Sequence, residues 1–249
     1  MIIGNYKQWQ NKPEVESTLA GRAQKNLPEM ECTKQLVELI SKIYKPGMRV
    51  LDVGCNVGHY LVGLRRLDAK LSYTGVDAYE YYIKQAKEIF REDSYAKFEV
   101  KDILEPIFED NPFDIVFCCN VILHLPDFRL PVRNLLNSTK NVCIIRTLLG
   151  KKTSIVKKAI IEKFDNIGNP LEFIYQNTWD SDYFANFINE LGFNIELIDD
   201  KFDPLLLQEE YVKIKDGEGT TVINNKQIDD NIIFNWKWIK ITPKCVLFS

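Results

Sequence analysis

The sequence lacks any apolar segment long enough to cross a membrane. Its longest apolar stretch, FDIVFCCNVILHL at positions 113–125, is interrupted by Asp114, Asn120 and His124. It is also shorter than the about 20 residues that a transmembrane helix needs. The N-terminal MIIGNYKQWQNK has no apolar run typical of a signal peptide. We therefore expect a cytoplasmic protein with no membrane partner.

Paired cysteines and excess positive charge are also missing. The six cysteines include no CxxC pair, and Cys118, Cys119 and Cys143 lie inside apolar runs. This pattern favours reduced core residues over a disulfide framework or a metal site. The 32 Lys and Arg residues are outnumbered by 35 Asp and Glu, for a net charge of -3. We therefore do not expect a nucleic-acid partner that binds a broad basic surface.

What the sequence does contain is an alternation of buried strands and amphipathic helices up to about residue 150. Near-continuous apolar strands separated by helices predict a parallel sheet covered on both faces. The chain of 249 residues, 45% apolar, is long enough for one domain with an elaboration. The predicted strands are 48–53, 72–77, 96–102, 112–122 and 141–147, and the predicted helices are 31–44, 58–67, 80–91 and 128–139.

Beyond residue 150 the pattern changes. SIVKKAIIEKF at 154–164 and TWDSDYFANFINELGF at 178–193 predict helices, the second capped by Asp180 or Ser181 and closed by Gly192. NIELID at 194–199 and IFNWKWIKI at 233–241 predict two further strands. A polar, turn-rich insertion occupies about 201–231 between them.

A glycine turn, DVGCNVG, follows the first predicted strand. In an open parallel sheet, ligands bind beyond the carboxyl ends of the strands. Gly54 permits a tight turn and close ligand approach, and Gly58 lets the next helix pack near the strand. A nicotinamide dinucleotide fold prefers G-x-G-x-x-G to cradle a pyrophosphate. Asp52, just before the turn, is poorly suited to a pyrophosphate and better suited to a ligand with a positive ammonium.

The turn resembles the first motif of the class I S-adenosylmethionine-dependent methyltransferases, an acidic residue followed by G-x-G-x-G. LDVGCNVG departs from it only at Asn56, a residue type that tolerates positive φ. The resemblance covers about Glu31 to Thr147 and the late ELGF corner. It implies an α/β, Rossmann-like, seven-stranded sheet with helices on both faces. It also implies an N-terminal cap at 1–30, a domain at 31–249 with its cofactor half at 31–150, and acceptor-site elements with the last strands and a C-terminal insertion at 151–249.

Three further motifs follow in the order that this family requires. Asp77 ends the second strand, where the family places a carboxylate on the ribose hydroxyls, and Asp102 with Ile103 follows the third strand, near the adenine. FDIVFCCNVILHLPD resembles the fourth-strand motif and its loop. The implied contacts to S-adenosylmethionine are Asp52, Gly54, Cys55, Asn56, Gly58, Tyr60, Asp77, Ala78, Asp102, Ile103, Asn120 and Val121, with Tyr6, Trp9 and Arg22 from the cap.

His124 is the candidate catalytic residue. It lies in the loop after the fourth strand, where a neutral imidazole could remove a proton from a methyl acceptor. A purely structural role in orienting the loop is the alternative. One branch of the family carries E-x-x-E-H here and can use a metal, but this chain has Asn120 and Leu123 at the acidic positions. We therefore predict no metal.

The acceptor site is expected to include Arg146, Trp179 and Tyr183. A buried strand ending in Arg146 suggests an anionic partner, and an internal salt bridge is the alternative. We predict methyl transfer to oxygen or nitrogen of a small metabolite such as a sugar, a nucleotide-sugar or a phosphorylated compound. The NPPY or DPPY tetrapeptide of amino-methylating DNA enzymes and the proline-cysteine pair of the cytosine type are both missing. An RNA or protein acceptor, or a non-catalytic partner subunit, stays open. We expect a monomer or homodimer.

Overall fold

The computed structural model describes residues 13–201, 221–224, 226–229 and 232–244. Its helices are α1 Pro13–Ala23, α2 Glu31–Ser41, α3 His59–Leu64, α4 Glu80–Ile89, α5 Arg129–Asn137 and α6 Ser181–Glu190. Its strands are β1 Arg49–Val53, β2 Ser72–Asp77, β3 Ala96–Val100, β4 Phe113–Cys119, β5 Thr139–Gly150, β6 Lys157–Ala159, β7 Phe173–Tyr175, β8 Trp179–Asp180, β9 Phe193–Asp199, β10 Thr221–Ile223, β11 Lys226–Asp229, β12 Ile232–Phe234 and β13 Trp236–Pro243.

The central sheet has the order β3-β2-β1-β4-β5-β13-β9, and the short β8 pairs with β5 off this path. β1 pairs in parallel with both β2 and β4, so the chain order reverses at this point. A crevice forms at such a reversal, beyond the carboxyl ends of the strands. The last strand, β13, is antiparallel to both β5 and β9 and lies between them. The predicted α/β sheet is confirmed.

Helices cover the sheet on both faces because successive strand residues point to opposite sides. In β4, Val116 and Cys118 belong to one hydrophobic core, which packs under α5 and α6. Ile115, Phe117 and Cys119 belong to the other, which packs under α2, α3 and α4. This double burial explains why the strand reads as a continuous apolar run.

The cysteines of the described residues are all buried and free: Cys32, Cys55, Cys118, Cys119 and Cys143. This agrees with the reduced core residues that the apolar runs predicted. Within the described ranges, no helix is both long and apolar enough to cross a membrane.

The helix predicted at 154–164 is wrong. The segment contains β6, which pairs antiparallel with β7. The Asn177 side chain accepts a hydrogen bond from the Val156 amide at 3.0 Å, and Ser154 bridges to Thr178. These hydrogen bonds with residues 173–178 hold the backbone of the segment in an extended conformation. The segment therefore forms a strand although its apolar residues have helical spacing.

The predicted strand at 233–241 is divided in two by Asn235. The Asn235 side-chain amide donates to the Leu149 carbonyl at 2.6 Å, and the Leu149 amide donates to the Asn235 carbonyl at 3.2 Å. The part before Asn235 is β12, which joins β10 and β11 in a small antiparallel sheet. The predicted polar insertion therefore holds strands in its second half, and positions 202–220 lie outside the described residues.

The predicted caps of α6 are confirmed. Asp180 is the N-cap, and its side chain accepts a hydrogen bond from the Tyr183 amide at 2.7 Å. Gly192 follows the helix with φ +87°, the left-handed conformation typical of a C-terminal glycine.

Candidate cofactor and acceptor site

A cavity of about 440 Å³ lies beyond the carboxyl ends of β1, β2 and β4. It reaches from the loop after β3 across to β12 and β13. Its lining residues come from seven regions of the chain that the fold brings together. They are Leu19, Met30, Val53, Gly54, Asn56, His59, Tyr60, Asp77, Ala78, Tyr79, Tyr82, Lys101, Asp102, Ile103, Cys119, Asn120, Val121, Leu123, His124, Leu125, Gln176, Phe234 and Trp236.

The glycine turn forms the floor of this cavity. Gly54, Asn56 and Gly58 all have positive φ, at +80°, +50° and +77°. Asn56 thus has the positive φ that the sequence analysis expected an asparagine to tolerate here. A Cβ on Gly54 would collide with Val121, and one on Gly58 would lie 2.8 Å from Phe98. Gly54 and Asn56 line the cavity, and Gly58 packs behind it.

Asp77 presents a carboxylate at the end of β2. Its Oδ2 accepts a hydrogen bond from the Asn56 amide at 2.9 Å, and its Oδ1 accepts from the Tyr79 amide at 3.0 Å. Burial raises the pKa of Asp77 to about 6, and the backbone hydrogen bonds oppose the rise. The group is therefore ionised at neutral pH, and each oxygen retains a lone pair for a ligand hydroxyl.

Asp52 lies behind the cavity lining instead of in it. It is 1% exposed, and its Oδ2 accepts a hydrogen bond from the Tyr73 hydroxyl at 2.7 Å. Burial raises the pKa of Asp52 to about 8. This geometry does not support the predicted direct contact with a cofactor ammonium, because the side chain points along the sheet toward Tyr73. Cys55 is likewise fully buried and absent from the lining.

The far end of the cavity is formed after β3, where Lys101, Asp102 and Ile103 line it. The Asp102 Oδ1 accepts a hydrogen bond from the Leu104 amide at 2.9 Å, which fixes the turn. The sequence predicted Asp102 and Ile103 at this end. Ala78, Asn120, Val121 and Tyr60 also line the cavity as the motif order implied.

His124 ends a 3-10 turn, Ile122–His124, on the other side of the cavity. Its Nδ1 lies 2.7 Å from the Tyr175 carbonyl oxygen. A carbonyl oxygen only accepts, so Nδ1 carries the proton, and in the neutral ring Nε2 bears the lone pair. The bond to Tyr175 thus fixes the orientation of the ring through Nδ1.

Asn177 holds the loop that carries His124, a role the sequence did not reveal. Its backbone N–H donates to the Leu123 carbonyl at 2.9 Å, and its side-chain Nδ2 donates to the Leu125 carbonyl at 2.9 Å. Asn177 is fully buried. Only the pairing of the β7–β8 segment with the β4 loop brings these groups together, so no local pattern could have shown it.

Arg146 is committed to an internal ion pair. It is 5% exposed, and its guanidinium donates to both Asp200 oxygens, at 2.8 and 3.0 Å. A third bond reaches the Asn120 Oδ1 at 2.6 Å. The same group lies 4.0 Å from the ring centroid of Trp236 and 5.6 Å from that of Trp238. Of the two alternatives that the sequence left open, the structure has the internal salt bridge, and Arg146 does not line the cavity.

Trp179 and Tyr183 also lie away from the cavity. Trp179 is 4% exposed and packs against Phe128 at 5.2 Å between ring centroids. Tyr183 is half exposed and contacts the same Phe128 edge-on at 5.5 Å. Trp179 lies in β8 and Tyr183 in α6, and neither lines the cavity, so the substrate contacts expected of them stay predictions.

The N-terminal cap reaches the cavity through Leu19 and Met30 instead of Arg22. The Arg22 Nε donates to the Pro28 carbonyl at 3.2 Å, and the residue lines a separate cavity of about 180 Å³. The other two cap candidates, Tyr6 and Trp9, lie outside the described residues.

His59 lines both cavities, and burial lowers its pKa to about 3. It is therefore neutral at physiological pH. Among the described residues, no group of three or more His, Cys, Asp or Glu side chains is arranged to hold a metal ion.

The family model described as "Methyltransferase domain" matches residues 44–190. The chain belongs to this methyltransferase family. The match spans β1 to α6 and therefore includes every wall of the cavity except the cap and the β12–β13 side. The predicted class I S-adenosylmethionine-dependent methyltransferase is confirmed at the level of the family.

Curated relatives of this chain have different acceptors in their names. Cycloartenol-C-24-methyltransferase 1 of Oryza sativa subsp. japonica is 37% identical over 86 residues, 33% of this chain and 25% of the relative. Phosphoethanolamine N-methyltransferase of Triticum aestivum is 25% identical over 225 residues, 83% of this chain and 40% of the relative. The chain thus spans less than half the length of these relatives.

A solved S-adenosylmethionine-dependent methyltransferase from Clostridium acetobutylicum superposes with a TM-score of 0.55 at 13% identity. The alignment covers 88% of this chain and 94% of that chain. At this identity the likeness shows the fold alone.

Proposed function

We propose that this protein transfers a methyl group from S-adenosylmethionine to an oxygen or nitrogen atom of a small-molecule acceptor. The observation that supports this most directly is the single cavity, which runs from the Asp77 carboxylate and the glycine turn to His124. One end has the carboxylate and close backbone approach suited to a nucleoside. The other end has a basic imidazole. Donor and acceptor would therefore meet in one enclosed space.

The donor end fits the proposed cofactor. Both Asp77 oxygens are held by backbone amides, so the carboxylate is oriented before a ligand arrives. The absence of a Cβ on Gly54 leaves the backbone open to close approach. When bound, S-adenosylmethionine supplies the methyl group from its sulfonium.

The acceptor end supplies orientation and a site for the proton. As the acceptor oxygen or nitrogen bonds to the methyl carbon and the carbon–sulfur bond breaks, a proton must leave the acceptor. The His124 Nε2 lone pair takes this proton, and the Tyr175 carbonyl stabilises the imidazolium through its bond to Nδ1. Asn177 keeps the loop in place.

A charged acceptor has less support than an uncharged one. The phosphorylated compounds expected from the sequence relied on Arg146, which Asp200 neutralises. A macromolecular acceptor or a non-catalytic partner role has no specific observation in its favour among the described residues. The state of assembly, monomer or homodimer, stays a prediction.

Calorimetry on the purified chain tests the donor assignment. S-adenosylmethionine and S-adenosylhomocysteine should bind, and NAD should not. The Asp77→Asn variant should bind both more weakly by about 1–3 kcal/mol, the range for leaving hydrogen-bonded partners unpaired. No binding of either nucleoside to the folded protein would refute the proposed function.

An acceptor found by screening then tests His124. The His124→Ala variant should turn over about a hundredfold more slowly or worse, with S-adenosylhomocysteine affinity unchanged. A matched Asn177→Ala variant, which loosens the loop but keeps the imidazole, should lose less. Full activity of His124→Ala would show that the residue is structural.

A further inference from the structure

The acceptor wall of the cavity consists of Leu123, His124, Leu125, Gln176, Phe234 and Trp236. These residues come from the β4 loop, from the end of β7 and from the β12–β13 junction. Apart from the histidine, the described residues of this wall carry no ionisable side chain. Charged groups that line the cavity, such as Asp77, Lys101 and Asp102, lie at the donor end.

The groups behind the acceptor wall disfavour an anion. Arg146 is already paired with a carboxylate that is as deeply buried as its own guanidinium. The Gln176 side chain donates to the Asp229 Oδ2 at 3.0 Å, and Lys158 pairs with the same oxygen at 3.3 Å. Arg146 and Lys158 are thus both paired with carboxylates, so a phosphate against this wall would lose its hydration without gaining either cation as a free partner.

The wall is instead built for a planar apolar group. Phe234 and Trp236 form an aromatic pair with ring centroids 5.4 Å apart. The Trp236 indole is fixed by its Nε1 bond to the Gln227 Oε1 at 3.0 Å and by the guanidinium of Arg146. Because the indole is already immobilised, a ligand ring packed on it pays little ordering entropy.

We propose that the methyl acceptor is an uncharged, largely apolar molecule with a planar ring, bound against Trp236 and Phe234. This inference rests on the proposed methyltransferase function and specifies its substrate class. The acceptor's hydroxyl or amine would then lie toward His124, on the same wall. Arg146 acts here as a positioning residue, since it holds Trp236 without lining the cavity itself.

Ligand-observed NMR titration with two probes tests this proposal. The probes are 2-naphthol, which is planar and neutral, and phosphoethanolamine, which carries a phosphate. Each is titrated into the full chain with and without saturating S-adenosylhomocysteine. We expect 2-naphthol to bind about tenfold more tightly than phosphoethanolamine. Equal or tighter binding of phosphoethanolamine would overturn the proposal.

Variants of two tryptophans locate the probe. Trp236→Leu, which keeps apolar volume but removes the ring, should weaken 2-naphthol binding about tenfold, and Trp236→Phe should restore most of it. Trp238→Phe is the matched control, because Trp238 also contacts Arg146 but does not line the cavity. Unchanged 2-naphthol affinity in Trp236→Leu would refute the assigned wall.

S-adenosylhomocysteine affinity, measured on the same samples, separates the two claims. It should stay the same in every tryptophan variant. If S-adenosylhomocysteine fails to bind the folded wild-type chain, the proposed methyltransferase function is refuted. The titrations without the nucleoside then still decide whether the acceptor wall prefers the planar probe.

Discussion

Replacing Asp200 with asparagine should destabilise the protein strongly. The Arg146 and Asp200 side chains are only 6% and 5% exposed, and two hydrogen bonds of 2.8 and 3.0 Å join them. Asp200→Asn leaves the guanidinium buried with a neutral partner. Removing one member of a buried ion pair costs about 3–5 kcal/mol, since the other charge is left uncompensated. That is a large share of a typical unfolding free energy of about 5–15 kcal/mol.

Removing both charges should cost much less than the two single changes together. Arg146→Met leaves the Asp200 carboxylate unpaired and should also cost about 3–5 kcal/mol. In the Arg146→Met/Asp200→Asn double variant, which combines these two single changes, neither charge is buried. Replacing both members of a buried pair by uncharged groups leaves no charge uncompensated. The loss that remains should come from the Asn120 bond and the stacking on Trp236.

Urea unfolding, followed by far-ultraviolet circular dichroism, measures the free energy of unfolding of the wild type, the two single variants and the double variant. Glu38→Gln is the matched control, because it breaks an ion pair with Lys42 in which both side chains are about 60% exposed. This control should leave stability unchanged. If Asp200→Asn costs no more than the control, or if the double variant equals the sum of the singles, the ion pair does not have the role assigned to it. Arg146 would then be free to bind an anion, as the sequence alone allowed.

Three other predictions concern the donor end. Because the pKa of Asp77 is about 6, S-adenosylhomocysteine affinity should fall about tenfold between pH 7 and pH 5 as the carboxylate is protonated; calorimetry on Asp77→Asn should show no such slope. Asp52 has a folded-state pKa of about 8, so it keeps its proton in the native state while the unfolded chain loses it. The free energy of unfolding should therefore fall as the pH rises from about 4 to about 8. Denaturant unfolding of Asp52→Asn should lack this trend, and the same trend in the variant would show that Asp52 does not cause it. Gly54→Ala should destabilise the chain and weaken nucleoside binding, because the new Cβ collides with Val121 and the positive φ is strained. Gly47→Ala is the control: Gly47 has φ +91° but open space around it, so this variant has the backbone strain alone and should leave nucleoside binding intact.

The order of motifs was sufficient to predict the fold family and several residues that line one end of the cavity. Backbone conformation at a turn is a local property, so glycines and an asparagine in DVGCNVG indicate positive φ without any knowledge of the rest of the chain. The position of Asp77 follows in the same way, because it ends a buried strand whose neighbour carries the glycine turn. Parallel strands bring their carboxyl ends to one edge.

The acceptor end depended on contacts between residues far apart in the sequence. Arg146 and Asp200 are 54 positions apart, and they meet because Trp238 of β13 pairs with Arg146 on one side and with Ile198, near the end of β9, on the other. The same strand order carries Trp236 to the cavity.

Tertiary contacts likewise decided the orientation of the Asp52 side chain and the secondary structure of the segment 154–164. A carboxylate beside a glycine turn can face a ligand or a neighbouring strand. Here Asp52 faces β2, where the Tyr73 hydroxyl donates a hydrogen bond to it. Sequence patterning thus determined which residues are buried and where the backbone turns, because burial and φ are properties of each residue with its near neighbours. Only the tertiary structure decided which polar groups pair, because strand order and register set those distances.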